Sequence, residues 1–211
     1  MNIENSPFQQ SLPLVLPVLH KYSRRHRIED IELNDSAVHA FNEELQSMHE
    51  QAPIVQVDQV VSLARWLQTL SAETAEATIH SRLSQADLLR RMLQDADWNT
   101  PASLAQRAER LLRYVTRTDD LIPDDMPVLG HLDDALLVEM SWPEFAGEAQ
   151  DYRDFCQFRA TTDFPRGSSS ELRAAWESHC LAEANALLHR QLIRDRGYAR
   201  VAPLSGTVRV Y

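Results

Sequence analysis

Asp119-Asp120-Leu121-Ile122-Pro123-Asp124-Asp125-Met126-Pro127-Val128-Leu129-Gly130-His131-Leu132-Asp133-Asp134 is the stretch that decides the fold. Six carboxylates, two prolines, one glycine and one histidine fall within these sixteen residues. Each proline fixes its own φ, removes a donor and pushes the preceding residue out of the α region. Ile122 and Asp125 precede prolines, so neither belongs in mid-helix. Gly130 suits the end of a helical turn. Asp133 or Asp134 stands before Ala135-Leu136-Leu137-Val138, where an Asp oxygen can accept from free N–H groups at a helix start. The stretch therefore predicts a helix end, a proline-shaped turn, a short helical turn over Pro127 to Gly130, and a new helix near Asp133.

The flanks have the period of helices. Upstream, Thr100-Pro101 predicts a cap followed by proline at the first helical position. Leu104, Ala105, Ala108, Leu111, Leu112 and Val115 then recur at helical spacing. Downstream, a short apolar helix reaches Trp142 and Pro143 opens another. Trp142, Phe145, Tyr152, Phe155 and Cys156 form an aromatic stripe, read as core and not as a cofactor site.

Further out, Asn34, Asp35 and Ser36 are cap candidates for a helix carrying Val38, Phe41, Leu45 and Met48. A second runs from about Asp58 with Val60, Val61, Ala64, Leu67 and Leu70. A third begins near Thr74 with Ile79, Leu83, Leu88, Leu89, Met92 and Leu93. Leu12 to His26 predicts a proline-started helix ending in a basic cluster, Ser23 to Arg27. Ser168 to Ser170 caps a long final helix that Gly197 ends. Thr207 to Tyr211 alternates like a strand and is expected as an extended tail. The fold class predicted is all-α: a compact bundle of seven or eight helices with an extended C-terminal tail. Its segments are 12–99 (N-terminal helices), 100–160 (the core around the acidic turn), 168–197 (the long helix) and 198–211 (the tail). All belong to one domain, 1–211, and the best candidate boundary is Asp163 to Ser170.

Composition agrees. The chain has 211 residues, 44% hydrophobic and 25% charged, with five glycines. That suffices for one sizeable core and excludes wholesale disorder. The formal net charge of −10 disfavours phosphate-backbone binding. Of 21 basic residues only Lys21 is a lysine. Two cysteines, Cys156 and Cys180, make no disulfide or metal framework and read as buried small hydrophobes. The apolar run Leu12 to Leu19 is broken by Pro13 and Pro17. No run approaches the roughly 20 apolar residues of a membrane span. The expected compartment is the bacterial cytoplasm.

The central stretch also resembles the signature of the YkvA-like family of small bacterial proteins, a domain of unknown function. That signature runs Asp-x-Ile-Pro-Asp-x-Ile-Pro-x-x-Gly-x-x-Asp-Asp. Asp120, Ile122, Pro123, Asp124, Pro127, Gly130, Asp133 and Asp134 match it. Met126 replaces a branched aliphatic, and His131 stands where an aromatic is more usual. The likeness covers less than a quarter of the chain. It implies a helical fold and no established activity. Many members look membrane-associated, so peripheral membrane contact is implied by the resemblance alone.

No glycine-rich phosphate loop, nucleophile elbow or His-Glu-x-x-His pair is present. The chain therefore reads as a non-enzyme before it reads as an enzyme. The leading expectation is a helical interaction or regulatory module with a protein partner. Its partner-binding or structural centre is the acidic turn 119–134. Nucleic acid is not an expected partner, and the sequence leaves oligomeric state open. The alternative is a metal-dependent enzyme built on Asp120, Asp124, His131, Asp133 and Asp134. The carboxylates suit a hard divalent cation, and the imidazole widens the choice to Zn²⁺ or Mn²⁺. A plainer reading makes these aspartates caps, with Asp124 and Asp134 bonded to backbone N–H groups and no cofactor.

Overall fold

The computed structural model describes residues 26–28, 31–117, 121–162 and 169–197. Among these lie two short strands and seven α-helices: β1 (Arg27–Ile28), β2 (Ile31–Glu32), α1 (Asp35–Met48), α2 (Val57–Gln68), α3 (Ala72–Gln94), α4 (Ala102–Tyr114), α5 (Leu132–Ser141), α6 (Ala146–Thr161) and α7 (Ser169–Gly197). A 3₁₀ turn, Trp142–Glu144, joins α5 to α6. The all-α class holds. No helix among the described residues is long and apolar enough to cross a membrane. The chain divides into two compact units, Met1–Asp154 and Phe155–Tyr211, and the division falls inside α6. Phe155 packs edge-on against Trp176 of α7 at 5.9 Å, which ties the last turns of α6 to the second unit.

In the first unit α5 is the central helix. Leu132, Ala135, Leu136, Leu137 and Val138 are buried all around it. A helix apolar on every side has to be surrounded, and α1, α3 and α4 supply the walls. The walls present one buried face each: Val38, Phe41, Leu45 and Met48 from α1, Ile79, Leu89 and Met92 from α3, and Leu104, Ala108 and Leu111 from α4. Two polar ties fix their register. Arg82 of α3, itself buried, reaches Glu139 of α5 at 3.1 Å. Arg107 of α4 pairs with Glu144.

Helix starts follow local chemistry. Asn34 Oδ1 accepts from Ala37 N at 2.6 Å, a side-chain cap. Ser71 does the same for α3 through Thr74 N, two residues earlier than expected. α2 uses a reciprocal pair between Gln56 and Gln59. Buried Asn42 braces the connection after α1, donating to Val55 O at 2.8 Å and accepting from Val55 N at 2.8 Å.

Several expectations need correction. Thr100 does not cap α4. Pro101 holds the cap position with ψ 133°, so the helix starts one residue later, and the Thr100 hydroxyl is buried without a hydrogen-bond partner. Pro143 opens a 3₁₀ turn before α6 begins. Phe145, Tyr152 and Phe155 are core residues as expected, but Trp142 is only half-buried. Cys156 is half-buried and Cys180 exposed, so neither is a core hydrophobe. Arg27 is not at a helix end. It pairs with Glu32 in the β1–β2 ribbon, whose two-residue strands are too short to show a period. The expected helix over residues 12–25 and the tail over 207–211 lie outside the described residues.

Candidate metal site

The connection from α4 to α5 is a chain of turns. Leu121 and Ile122 are buried and anchor its start. Pro123 O accepts from Met126 N at 3.0 Å, and Met126 O accepts from Gly130 N at 3.0 Å. Between them Leu129 N donates to Pro127 O at 2.8 Å, closing a γ-turn around Val128. Val128 has φ +68°, a left-handed conformation that strains a β-branched residue. Pro127 on one side and fully buried Leu129 on the other hold it there. Val128→Gly should therefore raise stability by about 0.5–1 kcal/mol, read from urea melts. A loss of stability would show that the turn is not strained.

Gly130 lies directly under Asp124. A Cβ on Gly130 would come 2.2 Å from the Asp124 carbonyl oxygen and 2.7 Å from its carbon. Only glycine permits this approach, and the approach brings Asp124 over the N-terminus of α5.

His131, Leu132, Asp133 and Asp134 begin α5. His131 is the cap residue and makes no side-chain capping bond. Asp133 and Asp134 lie inside the first turn, where the helix dipole favours negative charge, and both are buried. This overturns the expectation that one of them is the N-cap. Asp133 turns toward α4. Its Oδ2 accepts from Tyr114 OH at 3.1 Å, Leu121 N at 2.9 Å and Ile122 N at 3.4 Å. Asp133 thus makes bonds to loop backbone of the kind expected of Asp124 and Asp134.

Asp134 turns the other way. His131 Nδ1 lies 3.2 Å from Asp134 Oδ2 and 3.4 Å from Asp124 Oδ1. One ligand atom from each of Asp124, His131 and Asp134 lies within 4.8 Å of the others. Ligands held about 2.0–2.2 Å from one ion are at most about 4.4 Å apart, so closure needs only small side-chain movements. Exposure rises across the cluster, from 1% at Asp134 through 27% at Asp124 to 47% at His131. The Oδ1 atom of Asp124 is buried and accepts no hydrogen bond.

Of the five candidate ligands, three therefore converge. Asp133 is committed to Tyr114 and the loop backbone, and Asp120 lies outside the described residues. A cavity of about 170 Å³ opens beside the cluster. Glu76 and His80 of α3 line it, with Asp124, Val128, Gly130 and His131 of the loop. At about 30 Å³ per water that is space for a few waters or one small anion. Glu76 and His80 are one helical turn apart on a single face of α3. Only the packing of α3 against α5 brings them here, so nothing in the loop's sequence points to them. A larger groove of about 400 Å³ runs between α1 and α4. Its Arg110 and Arg117 are set against Glu43 and Glu44, charges that offset one another.

No family model, no curated protein and no solved structure matches this chain.

Proposed function

We propose that this protein binds one divalent cation through Asp124, His131 and Asp134, and that the ion keeps open positions toward the small cavity. The observation that carries the reading is the convergence of two carboxylates and an imidazole from both ends of one turn. Two oxygens and one nitrogen suit Mn²⁺ or Zn²⁺ better than Ca²⁺, which takes an all-oxygen shell. Three protein ligands leave room for water, the arrangement that metal-assisted hydrolysis needs. A cavity of this size fits a phosphate- or carboxylate-sized group on that ion. The likeness to the YkvA-like signature belongs to the same proposal. Its quoted positions Ile122, Pro123 and Gly130 shape the loop, while Asp124 and Asp134 would hold the ion. His131, the departure from the signature, adds the third ligand. Among the described carboxylates of the turn only Asp125 stands exposed, which favours an inward-facing ion over a partner reading an acidic surface.

Thermal melts test this. After EDTA treatment, Mn²⁺ or Zn²⁺ at about 100 times its Kd should stabilise the full chain by about 2.7 kcal/mol. For a chain of this size that is a rise of several degrees. Asp134→Asn should abolish the rise. If Asp124, His131 and Asp134 are only an ion-paired cluster, no metal will move the melting temperature and the proposal fails.

A further inference from the structure

α7 leaves most of its length bare. Leu172 and Trp176 are buried, but every described side chain from Glu177 to Arg194 is exposed. That is about five turns of helix, some 27 Å at 1.5 Å per residue. Leu181 is 66% exposed, Leu188 59% and Leu192 55%. In proteins most helical stability comes from tertiary packing of an apolar face and not from propensity alone. Large apolar side chains gathered on one such helix mark an interaction surface, unlike single scattered ones.

The spacing identifies the surface. Ala174, Ser178, Leu181, Asn185, Leu188 and Leu192 follow one another at intervals of 4, 3, 4, 3 and 4. All six are exposed. This is the alternation of d and a positions in a heptad, and it places one seam along the helix. Leu187 and Ile193 lie off the seam.

We infer that α7 pairs in parallel with α7 of a second copy of this chain, as a two-stranded coiled coil centred on Asn185. Asn185 selects this occupant over others. In a parallel, in-register pair it meets its own copy, and two carboxamides can donate to and accept from one another. A single asparagine at an a position specifies two strands and fixes their register. An antiparallel copy that matched Leu181 with Leu192 would set Asn185 against Leu188. A uniformly apolar partner would also bury the carboxamide without a hydrogen bond, which is unfavourable. The flanking positions agree. In the parallel pair Glu177 faces Ala182 and Ala184 faces His189, so no like charges are opposed. Ala174 and Ser178 are small enough for close approach at the N-terminal end.

Three heptads make a short coil, so the dimer should depend on concentration. Sedimentation of the full chain should show a mass rising toward twice 24.1 kDa between micromolar and hundreds of micromolar protein. Leu188→Glu should remain monomeric throughout that range with an unchanged melting temperature at low concentration, since Leu188 is exposed in the monomer. Ser178→Cys, which leaves Asn185 and the seam leucines in place, should form an inter-chain disulfide under mild oxidation once Cys156 and Cys180 are changed to Ser. Three results would overturn the inference. A monomer at every concentration would mean that the seam is covered by another segment of the same chain or by a different protein. A dimer unaffected by Leu188→Glu would place the interface elsewhere. A dimer with no Ser178→Cys cross-link would not be parallel and in register.

Discussion

Asp133→Ala should cost the fold about 3–5 kcal/mol, although this residue is only one of six aspartates in the turn. Its Oδ2 atom gathers three donors: the Tyr114 hydroxyl, the Leu121 amide and the Ile122 amide. All three donor residues are buried. Removing the carboxylate leaves each donor without its acceptor in a place water does not reach, at about 1–3 kcal/mol apiece before relaxation. The dipole of α5 then also loses a favourable negative charge in its first turn. Tyr114→Phe removes one donor together with its need for a partner, so it should cost only about 1 kcal/mol. Urea melts measure both variants. If Asp133→Ala falls within 1 kcal/mol of the parent, Asp133 is not what fastens the loop to α4.

The helical class is legible in the sequence because apolar periods survive without tertiary help. Val38, Phe41, Leu45 and Met48 form a stripe in the sequence, and the same four are buried. Ends are less legible, because cap geometry depends on one residue's ψ. Thr100 is as good a capping residue as Ser71, yet Pro101 adopts an extended ψ and leaves it aside. The ribbon of Arg27–Ile28 with Ile31–Glu32 has two residues per strand, too few for any alternation to register. Cys180 illustrates a different difficulty. Its helical pattern reads as buried, but a period along one helix does not say whether another element covers that side, and here Cys180 is exposed.

For the site, the sequence indicates the right turn and leaves the roles within it undivided. Neighbouring Asp133 and Asp134 are identical in type. One step along a helix turns a side chain by about 100°, so one faces α4 and the other faces His131. Which residue does which depends on where α4 packs. Glu76 and His80 are less legible still, since they lie some fifty residues upstream and reach the cavity only through the packing of α3.

Gly130→Ala should remove the metal response and about 3 kcal/mol of stability together, near the upper end of the cost of overpacking. The added methyl carbon would sit 2.2 Å from the carbonyl oxygen of Asp124, 2.7 Å from its carbonyl carbon and 3.0 Å from its Cα. All three are backbone atoms, so no rotamer change relieves the contact. The loop has to move away from α5 and carry Asp124 from His131 and Asp134. Serine brings the same Cβ, so Gly130→Ser should behave like Gly130→Ala. Asp124→Asn makes the comparison sharp. It leaves the backbone in place, so its EDTA-treated form should melt close to the parent while the Mn²⁺ or Zn²⁺ rise is lost. The pattern expected is therefore loss of both quantities in Gly130→Ala and loss of the metal response alone in Asp124→Asn. A Gly130→Ala variant that keeps the parent's metal-dependent rise would show that the close approach at Gly130 does not position Asp124 for the ion.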